Sequence, residues 1–321
     1  MPTALQSLRD HSILVADTGN IKDVERLRPQ DCTTNPSLVL AALRDPVCAP
    51  LVAPDLERCR SAGRSEAETA DFLTARLCTT LAEKVPGVVS MEVDANLSFD
   101  TAAMVQKARA LIALCEEMGL GRDRLLIKLA ATWEGIHAGE ILENEGTRCN
   151  LTLVFSLAQA VACAHAGIYL ISPFVGRITD WHAAQSGRAI DVQNDPGVAS
   201  VRRIFEHFKS RGIPTIVMAA SFRTTDQVRA LAGCDRLTIA PKLLDQLAKD
   251  HTPLDRQLFI PDRVVDPDPL TASASASEFR WQMNSDAMAT EKLAEGLRSF
   301  DRDRRHLLDL ISARLSEAVP S

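Results

Sequence analysis

Lys128 stands in a run of residues that is otherwise apolar, Leu125-Leu-Ile-Lys-Leu-Ala130. A strand sends alternate residues to opposite faces. One face here is Leu125, Ile127 and Leu129; the other is Leu126, Lys128 and Ala130. Three more runs pair an apolar face with one that ends polar. Val89, Met91 and Val93 oppose Val88, Ser90, Glu92 and Asp94. Leu151, Leu153 and Phe155 oppose Asn150, Thr152, Val154 and Ser156, and Ile13, Val15 and Asp17 end in a carboxylate. Asn35, in Thr33-Thr-Asn-Pro36, closes another short run, and Ser172 another. One lysine thus shares a predicted interior with Asp17, Asn35, Glu92, Asn150, Thr152 and Ser172. Charges inside a protein are costly unless paired or used. Two readings stand at this point. The group is a buried ion-pair network that fixes the fold, or it holds an amine that attacks a carbonyl to form a Schiff base. Burial lowers the pKa of an amine, and nearby carboxylates oppose that shift. The second reading therefore needs at least one carboxylate set away from the amine, or protonated.

Two later segments carry an arginine beside small residues. They are Ser172-Pro-Phe-Val-Gly-Arg177 and Ala219-Ala-Ser-Phe-Arg223. The planar guanidinium suits bidentate phosphate recognition, and barrel phosphate sites often use late strand-to-helix loops. The competing reading is a surface salt bridge for each. Several chemistries lack their motifs: no GxGxxG, Walker loop, HExxH or GxSxG occurs. Cys163 and His165 sit alone in an apolar run and read as a satisfied core pair, not a metal site.

The elements that must position these residues follow from periodicity. Strand-like runs fall at residues 13–19, 32–35, 88–94, 125–130, 151–156, 168–174, 215–221 and 237–241. Amphipathic stretches separate most of them. In the clearest, residues 100–118, Asp100 is the expected N-cap, Gly119 the stop, and Met104, Val105, Ala108, Leu111, Ile112 and Cys115 form one stripe. Eight β-then-α units predict a parallel sheet, and their number and the chain length favour closure into a single (β/α)8 TIM barrel spanning residues 1–321. Two stretches exceed a minimal barrel. Residues 181–196 read as a polar loop. Residues 252–277, rich in Pro, Asp, Ser and Ala, read as a surface excursion. One long C-terminal helix follows at about 286–315, with Leu293, Leu297, Phe300, Leu307, Ile311 and Leu315 on its apolar stripe, to pack on the body or on a partner chain.

The totals set bounds. The net charge of −6, from 36 basic and 42 acidic residues, gives no electrostatic case for nucleic acid or an anionic membrane surface. The 28 residues from Cys149 to Gly176 carry no formal charge. Their polar residues, and Gly167 in the middle, read as strand, helix, strand instead of a membrane span. The first residues show no secretory signal pattern. The eight cysteines scatter without a CxxC, which points to reduced, mostly buried thiols.

Eight segments in order, Val15-Ala-Asp-Thr-Gly19, Thr33-Thr-Asn-Pro-Ser37, Glu92-Val-Asp-Ala95, Ile127-Lys-Leu129, Asn150-Leu-Thr-Leu153, Ile171-Ser-Pro-Phe-Val-Gly-Arg177, Ser221-Phe-Arg223 and Ala232-Gly-Cys-Asp235, resemble the transaldolase family over nearly the whole chain. The resemblance implies a cytoplasmic transferase of the pentose phosphate pathway that needs no cofactor or metal. It would move a dihydroxyacetone unit from sedoheptulose 7-phosphate to glyceraldehyde 3-phosphate, giving erythrose 4-phosphate and fructose 6-phosphate. It implies Lys128 as the Schiff-base lysine, and Glu92 as acid and base through a water held by Thr152. Asp17 would be the base at the C4 hydroxyl. Asn35, Asn150 and Ser172 would hold the dihydroxyacetone part. Arg177, Arg223 and Ser221 would hold the phosphate. A homodimer is common in such families. Related aldolases that release free dihydroxyacetone carry Tyr where Phe174 stands. A phenyl ring cannot orient water by hydrogen bonding, so transfer is favoured over a fructose 6-phosphate aldolase; a non-catalytic sugar-phosphate-binding barrel is a further alternative. The sequence departs from the family pattern at Met91, Asn96, Ala219 and Ala220. Met91 should face the helices, and Asn96 should lie past the strand end.

Overall fold

In a computed structural model, which describes residues 2–45, 49–260 and 275–316, all eight expected strands form. They are β1 (Ile13–Asp17), β2 (Asp31–Thr33), β3 (Val89–Glu92), β4 (Leu125–Ala130), β5 (Cys149–Val154), β6 (Leu170–Pro173), β7 (Ile216–Ala219) and β8 (Arg236–Ile239). They pair in sequence order, all parallel, and β8 closes on β1. This is the (β/α)8 TIM barrel that the alternation of elements implies.

Period two operates as expected. Val15, Val88, Leu126, Leu170 and Met218 form an apolar plug inside the barrel, separate from the larger core between strands and helices. Above that plug the inward positions turn polar. The outward set, including Val89, Met91, Ile127, Leu129 and Leu151, belongs to the larger core. Register aligns the polar layer: Glu92 neighbours Lys128 across β3 and β4, and Lys128 neighbours Asn150 across β4 and β5. Asp17 neighbours Thr33 across β1 and β2. The alternation breaks once. The β5–β6 register shifts between Leu151 and Val154, and Leu153 takes a left-handed φ of 57°. Such a bulge bends a strand and re-aims its side chains.

Local chemistry starts the helices where the barrel needs them. Asn35 caps the helix Pro36–Arg44 by accepting the Leu38 N–H at 2.9 Å, and proline occupies its first turn. Asp100 caps Thr101–Glu117 as expected, and the six stripe residues are its buried set. The uncharged stretch resolves into β5, the helix Leu157–His165 and β6.

Two expectations change. Residues 181–186 are not loop: they complete the helix Gly176–Ser186, which buries only Gly176 and Ile178 and so shows little apolar periodicity. A short 3-10 turn, Val192–Asn194, follows it. The end of the 252–277 excursion is helical, because Ser275 caps a further helix, Ala276–Ser285; residues 261–274 lie outside the described residues. The C-terminal helix runs Ala287–Ser316 and buries Leu297, Phe300, Leu307 and Ile311. It packs on the body, against Pro36–Arg44, Glu66–Ala82 and the helix after β6. The seven cysteines in the described residues are free and buried; Cys48 lies outside them.

Candidate active site

A cavity of about 270 Å³ opens at the C-terminal ends of the strands, the end at which barrel enzymes place their chemistry. Nine of the residues singled out from sequence line it: Asp17, Asn35, Lys128, Thr152, Ser172, Phe174, Arg177, Ser221 and Arg223. Glu92 and Asn150 do not. Glu92 borders a void of about 20 Å³ behind the wall, shared with Asn35, Asp94 and Arg304. Asn150 is fully buried. Its amide donates to Ser90 Oγ at 3.1 Å, and its Oδ1 accepts from Ser172 Oγ at 2.6 Å. It therefore fixes the Ser172 hydroxyl, which does face the cavity.

Lys128 is 6% exposed. Its Nζ lies 2.9 Å from Glu92 Oε2 and donates to the Thr34 carbonyl oxygen at 3.4 Å. The ion pair and the cavity thus coexist, and the two readings of the sequence are not exclusive. Glu92 Oε2 has Lys128 Nζ as its ion-pair partner, whereas Thr152 Oγ1, also buried, is left without a hydrogen-bond partner. Orphaned buried polar atoms are rare enough to call for an explanation.

The carboxylates feel burial most. Burial raises the Asp17 carboxyl above its usual range; the Lys128 charge opposes this first, then a hydrogen bond from Thr33 Oγ1 at 3.3 Å and the Arg177 charge. Burial likewise raises Glu92, opposed mainly by Lys128. The Asp17 side chain keeps some open surface toward the cavity, yet protein encloses it deeply enough for desolvation to dominate. Cys32, on the strand beside Asp17, has its thiol pushed up to about 12, chiefly by burial, so it is a packing residue and not a nucleophile.

The loops after β6 and β7 bring the two arginines together. Val175 N–H donates to the Ala220 carbonyl oxygen and Gly176 N–H to that of Ser221, both at 2.8 Å. A Cβ at Gly176 would fall 2.4 Å from the Ser221 carbonyl oxygen, so only glycine permits this approach. Ser221 itself holds φ 64°, which for a non-glycine residue marks a constrained site. That turn sets Ser221 Oγ 3.2 Å from Arg223 Nη1. Arg223 also makes the salt bridge that the competing reading expected, with Asp180 at 2.8 Å, yet it still lines the cavity. Arg177 has no hydrogen bond or ion pair among the described residues. Its guanidinium carbon lies over the ring of Phe174, at 5.1 Å, and over that of Phe300, at 5.5 Å. Burial lowers its pKa, and the Arg223 charge adds to this. Two neighbouring cations, one partnered only by aromatic faces, make a site for an anion.

Sequence reasoning passed over Thr33, Thr238 and Phe300. Thr33 and Thr238 line the cavity and share a hydrogen bond of 3.1 Å. Both stand at inward positions of short strands, where strand alternation in β2 and β8 places them. Phe300 was assigned only to a packing stripe; its place depends on where the C-terminal helix crosses the barrel. Met91 faces outward as expected, with Cys115 Sγ 3.7 Å from its sulfur. Asn96 lies in a 3-10 turn past β3. Among the described residues no group of three or more His, Cys, Asp or Glu side chains is arranged to hold a metal ion.

A family model described as Transaldolase/Fructose-6-phosphate aldolase matches residues 14–311. Among curated relatives named Transaldolase, that of Rhizobium leguminosarum bv. trifolii is 50% identical over 323 residues, covering 99% of this chain and all of the relative. That of Methylobacillus flagellatus is 48% identical over 319 residues, with 98% and full coverage. That of Haemophilus influenzae is 50% identical over 321 residues, again with 98% and full coverage.

Proposed function

The chain belongs to the transaldolase/fructose-6-phosphate aldolase family, and we propose that its cavity carries a dihydroxyacetone unit as a Schiff base on Lys128, from sedoheptulose 7-phosphate to glyceraldehyde 3-phosphate. It is a transferase of that family. The observation that carries the site assignment is one amine at a cavity wall, ion-paired with the buried Glu92, with Asp17 and a pair of arginines lining the same cavity.

In this reading the Lys128 amine adds to the C2 carbonyl of the ketose, and loss of water gives the iminium. Glu92 exchanges the protons of that step through a water bridged to Thr152. The buried Thr152 Oγ1, which has no hydrogen-bond partner, supports this role. Asp17 then takes the proton of the C4 hydroxyl. The C3–C4 bond breaks, its electron pair moves into the iminium, and the aldose leaves. The enamine attacks the carbonyl carbon of the acceptor aldehyde, whose oxygen receives the proton back from Asp17. Two carboxylates in different surroundings suit two proton transfers at different atoms. Arg177, Arg223 and Ser221 hold the phosphate. Asn35 and Ser172 hold dihydroxyacetone hydroxyls, with Asn150 acting through Ser172. The reading takes the enzyme as a cytoplasmic homodimer; no described helix is long and apolar enough to cross a membrane.

Phe174 favours transfer over release, because the ring at that wall packs edge-on against Phe155 and offers no hydroxyl. The test is product analysis. With fructose 6-phosphate and erythrose 4-phosphate together, sedoheptulose 7-phosphate and glyceraldehyde 3-phosphate should form in equal amounts. Dihydroxyacetone accumulating from fructose 6-phosphate alone at a matching rate would overturn the transferase reading.

A further inference from the structure

The cavity is walled by strand ends and loops, but its roof comes from elsewhere. Phe300, on the C-terminal helix, lines it and is 3% exposed. Its ring centre lies 5.8 Å from Lys128 Nζ and 5.5 Å from the Arg177 guanidinium carbon. One apolar side chain thus spans the imine position and the phosphate position. The helix is held there by contacts one turn to either side. At Gly296 a Cβ would fall 2.7 Å from the Leu153 side chain and 3.2 Å from Arg177, so glycine lets the helix lie close across the mouth. One turn beyond Phe300, Arg304 pairs with Asp94 and Asp71, and Lys107 pairs with the same two carboxylates at 3.1 and 2.5 Å. Asp303 accepts a hydrogen bond from Ser37.

We propose that Phe300 is a specificity-determining residue that decides whether the enamine meets an aldehyde or solvent; the proposal rests on the Schiff-base reading. After C3–C4 cleavage the enamine carbon has two fates. It bonds to the acceptor carbonyl carbon, whose oxygen takes a proton. Or it takes a proton from solvent, which gives an iminium. Water then adds at C2, the C2–N bond breaks, and free dihydroxyacetone leaves with the Lys128 amine restored. Only the second fate needs solvent to reach the carbanion carbon. A phenyl ring against both cations excludes solvent from the space between them, and it offers no hydroxyl to relay a proton.

The experiment compares wild type with Phe300→Ala and Phe300→Leu. It measures dihydroxyacetone released from fructose 6-phosphate against transfer to erythrose 4-phosphate, with borohydride trapping at Lys128 on each protein. Phe300→Ala should raise the ratio of release to transfer by about tenfold, while still trapping at Lys128. Phe300→Leu, which keeps an apolar roof, should stay near wild type. If Phe300→Ala does not fold, Phe300→Val carries the same expectation. An unchanged ratio in a small-side-chain variant that still traps would overturn the roof alone. Absence of any adduct in wild type would overturn the Schiff-base reading and the roof with it.

Discussion

Asp17 and Glu92 face the same lysine from different surroundings, and that difference assigns their work. Glu92 is sealed behind the wall against the amine, and Asp17 opens to the cavity. Desolvation raises both, and Lys128 opposes it in both. As a base, Asp17 must be ionised. Turnover should therefore fall on acidification at a pH above the ordinary aspartate value of about 3.9, which a pH profile of kcat measures. An acid limb at or below the ordinary value would contradict the role. The sign for stability is the reverse of the usual salt-bridged aspartate. The folded state binds the proton more tightly than the unfolded, so ionising Asp17 costs stability as pH rises. Asp17→Asn should lose turnover yet melt at a higher temperature at neutral pH, and that gain should vanish below about pH 3.9, where the carboxyl is protonated in both states. Strand periodicity made Lys128, Asp17, Glu92, Thr152 and Ser172 legible as one interior layer. It could not show that Asn150 is turned to Ser90 and Ser172, because partners across a barrel are not written along a strand.

At the scale of elements, the arginines act through the loops that carry them. The close approach of Gly176 to Ser221 and the strained turn at Ser221 bring Arg177 and Arg223 to one end of the cavity. Arg223→Ala should raise KM for the phosphorylated ketose by about tenfold, the weight of one charge-assisted hydrogen bond, with a smaller effect on kcat. Steady-state kinetics checks this, and an unchanged KM would remove Arg223 from the phosphate site. The sequence marked both arginines, because each follows a predicted strand by a few residues. It misjudged the segment between them. Trp181 and its polar neighbours form the outer face of a helix with two buried residues, too few for an apolar stripe to emerge. The bulge at Leu153 was equally illegible, since no glycine or proline announces its left-handed backbone.

At the scale of the whole molecule, the barrel supplies the walls of the site and the C-terminal helix covers it. The helix was readable from its apolar spacing. Its crossing over the mouth was not, because the charges that lock it, Asp71, Asp94, Lys107 and Arg304, are scattered through the chain and meet only in three dimensions. Arg304 is 12% exposed in its side chain, so removing it leaves two nearly buried carboxylates with one cation. Arg304→Ala should cost about 3 kcal/mol, seen as a lower midpoint in urea unfolding; a change within error would show that packing alone holds the helix. The covalent bond proposed at Lys128 can be tested directly. The intact enzyme is incubated with fructose 6-phosphate, reduced with borohydride, digested and weighed by mass spectrometry. One three-carbon adduct should appear, on Lys128, and none in Lys128→Ala. No adduct, or an adduct on another lysine, would contradict it.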